Sequence, residues 1–395
     1  MKYRFLILII VIASCKPNEP NQNENVAEFF RTGYKEIAID STVSHYNYSA
    51  LLNKVGNNSY FSILNTNNFT VQIYDWETGI ERMKIPLSKT GPDKIPFTKQ
   101  EGHYLNGLNE ILIYNIDTYT FFLVDSIGNL QKKYVIGKES DFGTNEKGVP
   151  QVSAYYPLIK VDETNFILQA DALARKTKNY SSLNTVFELR LNDDSNVKPI
   201  VKYPEIYNEG NWGEYLVFCA YNSLNSKEYL LYTSFARDDS VNVFDLKKRK
   251  STKKYAGSYH FNNYTISPLS KKSDKQHPDN EVQIKYEFTS PMYFGIHYDS
   301  INKKIYRIVR NFPTTQEKII ENGGDFRKNQ GYAILVFDEN FNKLGEFQLE
   351  KDRYNIESVF CINGKLYILL NARSQIQEDQ LTFDEFDFSK LKNTE

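Results

Sequence analysis

Cysteine, methionine, tryptophan and histidine are scarce in this chain: three Cys, three Met, two Trp and five His among 395 residues. The two cysteines of the body, Cys219 and Cys361, are too few for a disulfide framework. The histidines (His45, His103, His260, His277 and His297) are scattered and show no paired ligand spacing, so no zinc site or other metal site is expected. Net charge is −1, which removes the basic excess a nucleic-acid binder carries. Phosphate cradles and nucleophile elbows are missing as well. Gly323-Gly324 does not join a strand to a helix, and no GxSxG occurs. A calcium-loop imitation at Asp338-Glu339-Asn340-Phe341-Asn342 has Lys343 where a sharp turn needs Gly and Leu349 in place of the bidentate Glu, so it is expected to be a hairpin turn. No cofactor is implied.

Long apolar runs are also absent, with one short exception. Phe5 to Ile12 is apolar, preceded by Lys2 and Arg4 and followed by Ala13-Ser14-Cys15. A spanning helix needs about 20 apolar residues, and this run stops at Lys16-Pro17-Asn18. Charge, apolar stretch and small residues in that order make a secretory signal over residues 1–14. Ile12-Ala13-Ser14-Cys15 resembles the lipobox of bacterial lipoproteins, which implies cleavage before Cys15 and acylation of Cys15, for example with palmitate. Several acyl chains on one residue anchor firmly where one is marginal. Residues 15–25 read as the lipidated cysteine and a polar, flexible linker. Residues 26–395 read as the folded domain.

What the chain has in plenty is aromatic residues, 29 Tyr and 26 Phe, and these favour strands. One phrase recurs: an apolar strand ending in Asp, a tight turn, then an amphipathic strand. It occurs at 71–85, 121–136, 241–255 and 333–349, with a degenerate copy at 186–203. Asp, Asn and Gly in these turns suit hairpins. Two further apolar runs precede each later phrase, giving four strands per unit, and radially arranged four-stranded units are propeller blades. Inner strands are expected near 46–54, 103–108, 154–161, 215–222, 291–299 and 356–362. The sixth unit is one strand short, and the orphan strand Tyr34–Asp40 is expected to complete it, which hides an exposed edge. The fold class is thus all-β: a six-bladed propeller of four-stranded antiparallel blades closed by the N-terminal strand. A β-sandwich with a second β domain is the alternative.

A lipobox, a short linker and a body of such blades resemble the six-bladed β-propeller lipoproteins of Bacteroidetes, many known only as domains of unknown function. Gly91-Pro92-Asp93 after the first outer strand resembles a Gly-Pro element of that family. The resemblance implies a cell-envelope location, lipid-anchored and at the outer membrane on its periplasmic or surface side. It implies no activity. Asp-Ser steps at Ser41, Ser126, Ser240 and Ser300 resemble the envelope O-glycosylation sequon of that phylum, although Asp-Ser also favours turns.

Within a blade the a–b and c–d turns share one face. Here they are short (162–165, 300–303, 363–365; 77–80, 247–250). The remaining connections, at 88–102, 137–152, 172–184, 205–214, 257–290 and 311–330, are long and crowd the other face. Long loops are usually functional or disordered, so that mouth is the expected site, with Trp212, Arg237, His297 and Arg310 as candidate binding residues. For each there is a structural alternative: Trp212 packed between blades, the arginines solvated, His297 in the core. Cys219 and Cys361 fall at equivalent points of inner strands two blades apart, too distant to bond. The reading is a lipid-anchored, non-enzymatic module whose partner is a peptide, glycan or protein. The rival is a hydrolase or lyase acting on polysaccharide or peptide in the central channel, which a converging carboxylate pair or His–carboxylate cluster would favour. A third reading is a sensor or scaffold subunit of an envelope complex.

Overall fold

In the computed structural model the described residues are 26–392, without 44–48, 97–101, 145, 172–178, 193–194, 214, 260, 262–266, 272–278, 313–315, 322 and 326–329. Cys15, the signal and the linker lie outside them, as do His45, His260 and His277. The blades follow in chain order. Blade 1 runs Ala50–Val55, Asn58–Asn65, Thr70–Asp75 and Glu81–Pro86, and blade 2 runs Gly102–Gly107, Glu110–Asn115, Thr120–Val124 and Leu130–Val135. Blade 4 comprises Ala220–Asn225, Leu230–Phe235, Ser240–Asp245 and Lys250–Tyr255; blade 5 comprises Met292–Asp299, Lys304–Phe312, Gly331–Asp338 and Lys343–Gln348. All pairing within the blades is antiparallel, so the expected propeller of six blades is the fold.

Blade 3 departs from its neighbours. Its second, third and outer strands are Asn165–Asp171, Asn184–Arg190 and Asn196–Lys202. Its inner edge is split: Ile159–Lys160 pairs with one end of Asn165–Asp171, and Val149–Gln151 pairs with the other. Between them Ser153 and Tyr156 close a tight turn on each other, and Pro157 has no N–H for the ladder. The expected strand 154–161 is therefore mostly a loop that pushes Tyr155 toward the axis. In blade 4 the expected inner strand 215–222 begins only at Ala220, because Tyr215–Phe218 forms a 3-10 turn.

Middle strands are buried on both faces, as Asn58–Asn65 and Thr70–Asp75 show, because each is sandwiched between neighbouring blades. Outer strands are exposed and charged; Lys250–Tyr255 is exposed along its whole length and carries Lys250, Lys253 and Lys254. Charge of this kind blunts an edge that could otherwise pair with another chain.

Blade 6 contributes Tyr354–Ile362, Lys365–Leu370 and Gln380–Phe386, and its outer strand is Arg31–Ala38, paired antiparallel with Gln380–Phe386. The N-terminal strand thus closes the ring, beginning three residues earlier than expected. Two further ties reinforce it. Val26 bridges Gln348 of blade 5, and Phe30 packs on Phe347 and Phe388 with ring centroids 4.6 and 4.8 Å apart. Beyond the last strand, buried Lys304 donates to Phe388 O at 2.7 Å and Ser389 O at 2.9 Å, which fixes the C-terminal segment to blade 5.

Two glycines show that the closing strand packs as a true outer strand. Gly128, in the c–d turn of blade 2, has φ +90° and lies so close to blade 1's outer strand that a Cβ would collide with Pro86 O. Gly79, in the same turn of blade 1, has φ +74° and meets Glu36 O of the N-terminal strand in the same way. By contrast, Gly91 of the Gly-Pro element has φ +77° but open space around it. Gly79→Ala and Gly128→Ala should therefore each destabilise the fold by at least about 2 kcal/mol, through strain plus collision. Gly91→Ala should cost only the strain, about 1 kcal/mol. Urea unfolding at pH 7 checks this; equal losses at the three sites would contradict the packing described.

Candidate functional site

Each inner strand runs toward its a–b turn, and the six strands together enclose an axial cavity of about 660 Å³. Its lining includes Asn53 and Lys54 from blade 1, Tyr104 from blade 2, Tyr155 and residues 157–163 from blade 3, residues 221–224 and Ser226 from blade 4, residues 294–297 from blade 5, and Ile356, Glu357 and residues 359–361 from blade 6. Lys54, Asp162, Glu163 and Ser226 are exposed and lie at or next to the a–b turns. Tyr155, Tyr221 and Phe294 lie at the opposite, buried end. The cavity therefore opens on the short-turn face. Aromatics form its floor, amides and aliphatics its wall, and charges its rim.

The other face carries most of the long connections, although three of its turns (66–69, 116–119 and 236–239) span only four residues. Among its described residues are the α1 helix Asn280–Thr289, capped by Asp279 Oδ1 accepting from Val282 N at 2.8 Å, and the 3-10 turns 205–208 and 215–218. No described residue of 257–290 or 311–330 lines the cavity. The mouth expected from loop length is thus not where the channel opens.

A family model of a domain of unknown function, DUF4221, matches residues 27–348. The chain belongs to the DUF4221 family. A solved structure of another DUF4221 member, from Bacteroides vulgatus, is 20% identical over 92% of this chain and 98% of that one, with a TM-score of 0.70. A Bacteroides fragilis protein described as exported is 9% identical over 93% of this chain and 97% of that one, with a TM-score of 0.51. At these identities both establish the shared fold. No curated protein matches the sequence.

In this DUF4221 chain three of the four candidate binding residues are structural. Trp212 is fully buried between blades 3 and 4, donates Nε1–H to Ile206 O at 3.0 Å and offers no platform to a ligand. Arg237 and Arg310 are 1% exposed and hold the end of α1. Arg310 donates to Glu287 O and to Ser290 O; Arg237 donates to Pro291 O and, at 2.7 Å, to Ser290 Oγ. The last carbonyls of a helix need partners, and its C-terminus favours cations. Charge in the sequence suggested a surface role; the carbonyls those side chains satisfy lie far along the chain. Arg307, fully buried, does the same for blade 4 by donating to Phe235, Asp238, Asp239 and Ala256 carbonyls.

His297 does line the channel. Its ring leans over Gly295, where a Cβ would press on Nε2, and Nε2 has no partner among the described residues. Burial lowers its pKa to about 4, so the imidazole is neutral. Glu357, Tyr155, Tyr221, Phe294 and Asn53 are channel residues that sequence reasoning did not single out. The available signal was a polar residue breaking an apolar inner strand, as Glu357 does in IESVFCI. Burial raises the Glu357 pKa, opposed by a hydrogen bond from Tyr155. No hydrogen bond joins His297 to Glu357 among the described residues, and no group of three His, Cys, Asp or Glu there could hold a metal ion. Behind the wall, Asn53 Nδ2 donates to Ser62 Oγ at 3.2 Å, and Ser62 Oγ lies 2.7 Å from His103 Nε2.

The remaining motifs resolve into turns. Asp338 Oδ1 accepts from Asn340 N and Asn342 N, which makes a hairpin turn of the calcium-loop imitation. Asp40, Asp125 and Asp299 accept backbone N–H groups in the same fashion ahead of or beside Ser41, Ser126 and Ser300. Ser41 and Ser300 are exposed; Ser126 and Ser240 are half-buried. Asp93 of the Gly-Pro element accepts from Leu130 N at 3.2 Å, linking blade 1's exit to blade 2's outer strand. Cys219 and Cys361 form no disulfide with each other, and Cys219 Sγ lies 3.0 Å from the Tyr156 hydroxyl.

His103 gives a pH prediction. Burial lowers its pKa to about 3, against 6.5 in an unfolded chain. Between those values the unfolded chain binds a proton that the folded one refuses, so stability falls as pH falls through this window. The slope is about 1.4 kcal/mol per pH unit for this one group. Urea unfolding at pH 6.5 and 5 should therefore show about 2 kcal/mol less acid loss for His103→Gln than for the unsubstituted protein. Parallel losses would mean that His103 is protonated when folded.

Proposed function

We propose that this protein is a lipid-anchored propeller of the cell envelope, bound to the outer membrane through Cys15, and that it works as a binding module. The observation that carries the reading is the axial cavity: about 660 Å³, within the range of small-ligand sites, with an aromatic floor and a wall of amides and aliphatic groups. This moves the expected site from the long-loop face to the short-turn mouth. The ligand is a small molecule or the end of a peptide or glycan chain, because only a narrow group can enter between six inner strands.

The hydrolase or lyase reading needs an acid and a base that act together. His297 and Glu357 share the channel without touching each other through a hydrogen bond, and the wall otherwise presents amides and apolar groups. The geometry supports retention of a ligand better than its cleavage. The scaffold reading has no comparable feature on the described surface.

Attachment and binding are tested separately. In the native host, wild-type protein should partition into the detergent phase and Cys15→Ala into the aqueous phase; equal partitioning would remove the lipid from the account. Intact mass of the mature protein reads acylation of Cys15 and any sugar on Ser41, Ser126, Ser240 or Ser300 in the same spectrum. For binding, a panel of oligosaccharides and short peptides is screened by thermal shift against wild type and against Ala154→Trp, which fills the channel. A hit lost in Ala154→Trp but kept when helix 316–321 is shortened supports the channel. The reverse pattern would return the site to the long-loop face.

A further inference from the structure

The channel floor has a composition that the wall does not share. Tyr155, Tyr221 and Phe294 are 8%, 7% and 3% exposed, and the Tyr221 and Phe294 ring centroids lie 6.3 Å apart. One carboxyl group, that of Glu357, stands among these rings and faces the cavity. Tyr155 hydrogen-bonds to it, Tyr221 and Tyr332 are its electrostatic neighbours, and His297 lies on the adjacent inner strand. No Lys or Arg among the described residues forms an ion pair with it. Arg310 approaches from behind, its guanidinium carbon 5.5 Å from the Phe294 ring, but its N–H groups go to Glu287, Ser290 and Gln330. At the rim, Lys160 pairs with Glu163 at 3.2 Å.

Glu357 is half-buried, and a carboxylate partly withdrawn from water without a cation beside it is unfavourable. Aromatic faces attract cations through their quadrupoles and do nothing comparable for anions. Together the two features describe a seat for positive charge. We propose that the ligand of this channel is an organic cation, an amine or quaternary ammonium group that docks on the floor against Glu357 and the Tyr155, Tyr221 and Phe294 rings. This inference rests on the channel-binding reading and specifies its ligand. Burial also favours the protonated carboxyl in the empty channel. A cation arriving there favours the ionised form, so binding releases protons and strengthens as pH rises through the Glu357 titration.

The test is calorimetric titration of the whole soluble domain with three probes: choline, its uncharged isostere 3,3-dimethylbutanol, and N-acetyl-lysine methylamide. The first and third separate a free quaternary ammonium from the amine of a peptide side chain. At least one cation should bind about tenfold tighter than the isostere. Its affinity should rise with pH through the Glu357 titration, because the cation favours the ionised carboxyl. Glu357→Gln should fold with unchanged or higher thermal stability and lose most of the preference for cation over isostere, keeping only what the rings supply. Equal binding of cation and isostere by wild type, a preference undiminished in Glu357→Gln, or no cation binding at millimolar concentration would overturn the cation seat. If the cations fail while an uncharged oligosaccharide or peptide still needs an unfilled channel, the binding reading stands and only the ligand class falls. The preference for cation over isostere uses wild-type protein alone, so it decides the matter even if the variant does not fold.

Discussion

The structure depends on one joint: the antiparallel pairing of Arg31–Ala38 with Gln380–Phe386, which turns a row of blades into a ring. A blade cannot bury its broad faces alone. Each middle strand is covered on both sides only because a neighbouring blade lies against it, so the first and last blades are stable only when they meet. The joint is therefore overdetermined. Ile37 is fully buried, Gly79 admits the close approach of Glu36, Val26 bridges blade 5, and Lys304 secures the segment beyond the last strand. Loss of this pairing would expose the faces of blades 1 and 6 together, and a ring is well suited to a channel because every blade must hold its inner strand at a fixed radius.

Closure also divides the molecule into two unlike ends. On one, buried arginines use their N–H groups on carbonyls of the 235–239 turn and the end of α1, fixing long connections in place. Those side chains carry charge but neighbour mostly neutral acceptors and aromatic rings, such as Tyr293 3.5 Å below the Arg307 guanidinium. Burying them is tolerable because nearly every N–H is satisfied. On the other end the connections are short, the inner strands stop, and the cavity opens. The split inner edge of blade 3 connects fold to site: a break that would weaken a strand supplies the Tyr155 side chain that helps close the floor.

Most of the architecture was legible because its signals are local. Asp-terminated strands, Asn and Gly in turns, and aromatic alternation recur at most hairpins, and they reveal the blade count, the closing strand and most inner strands, but not the split inner edge of blade 3. The polarity of the site was not legible. Loop length says where chain is spent, whereas the cavity is defined by which inner-strand side chains point to the axis from six blades far apart in sequence. Arg237 and Arg310 were misread for the same reason: their partners Ser290 and Pro291 become neighbours only after folding, whereas Trp212 takes its structural alternative, packed between blades. Helix α1 had a readable start in Asp279, but it lies inside a stretch dominated by polar residues. Glu357 was readable as an oddity in an apolar strand, and its meaning came only with the rings around it.

The axial channel, entered from the short-turn face, is where we propose that this protein holds its ligand. Cys361 lines that channel, while Cys219 is fully buried beside Tyr156. The most direct measurement is the rate of Cys361 alkylation at alkaline pH, followed by mass spectrometry with and without a ligand found in the screen. Occupancy of the channel should slow modification of Cys361 in proportion to saturation. An unchanged rate at full saturation would place the ligand elsewhere and contradict the account.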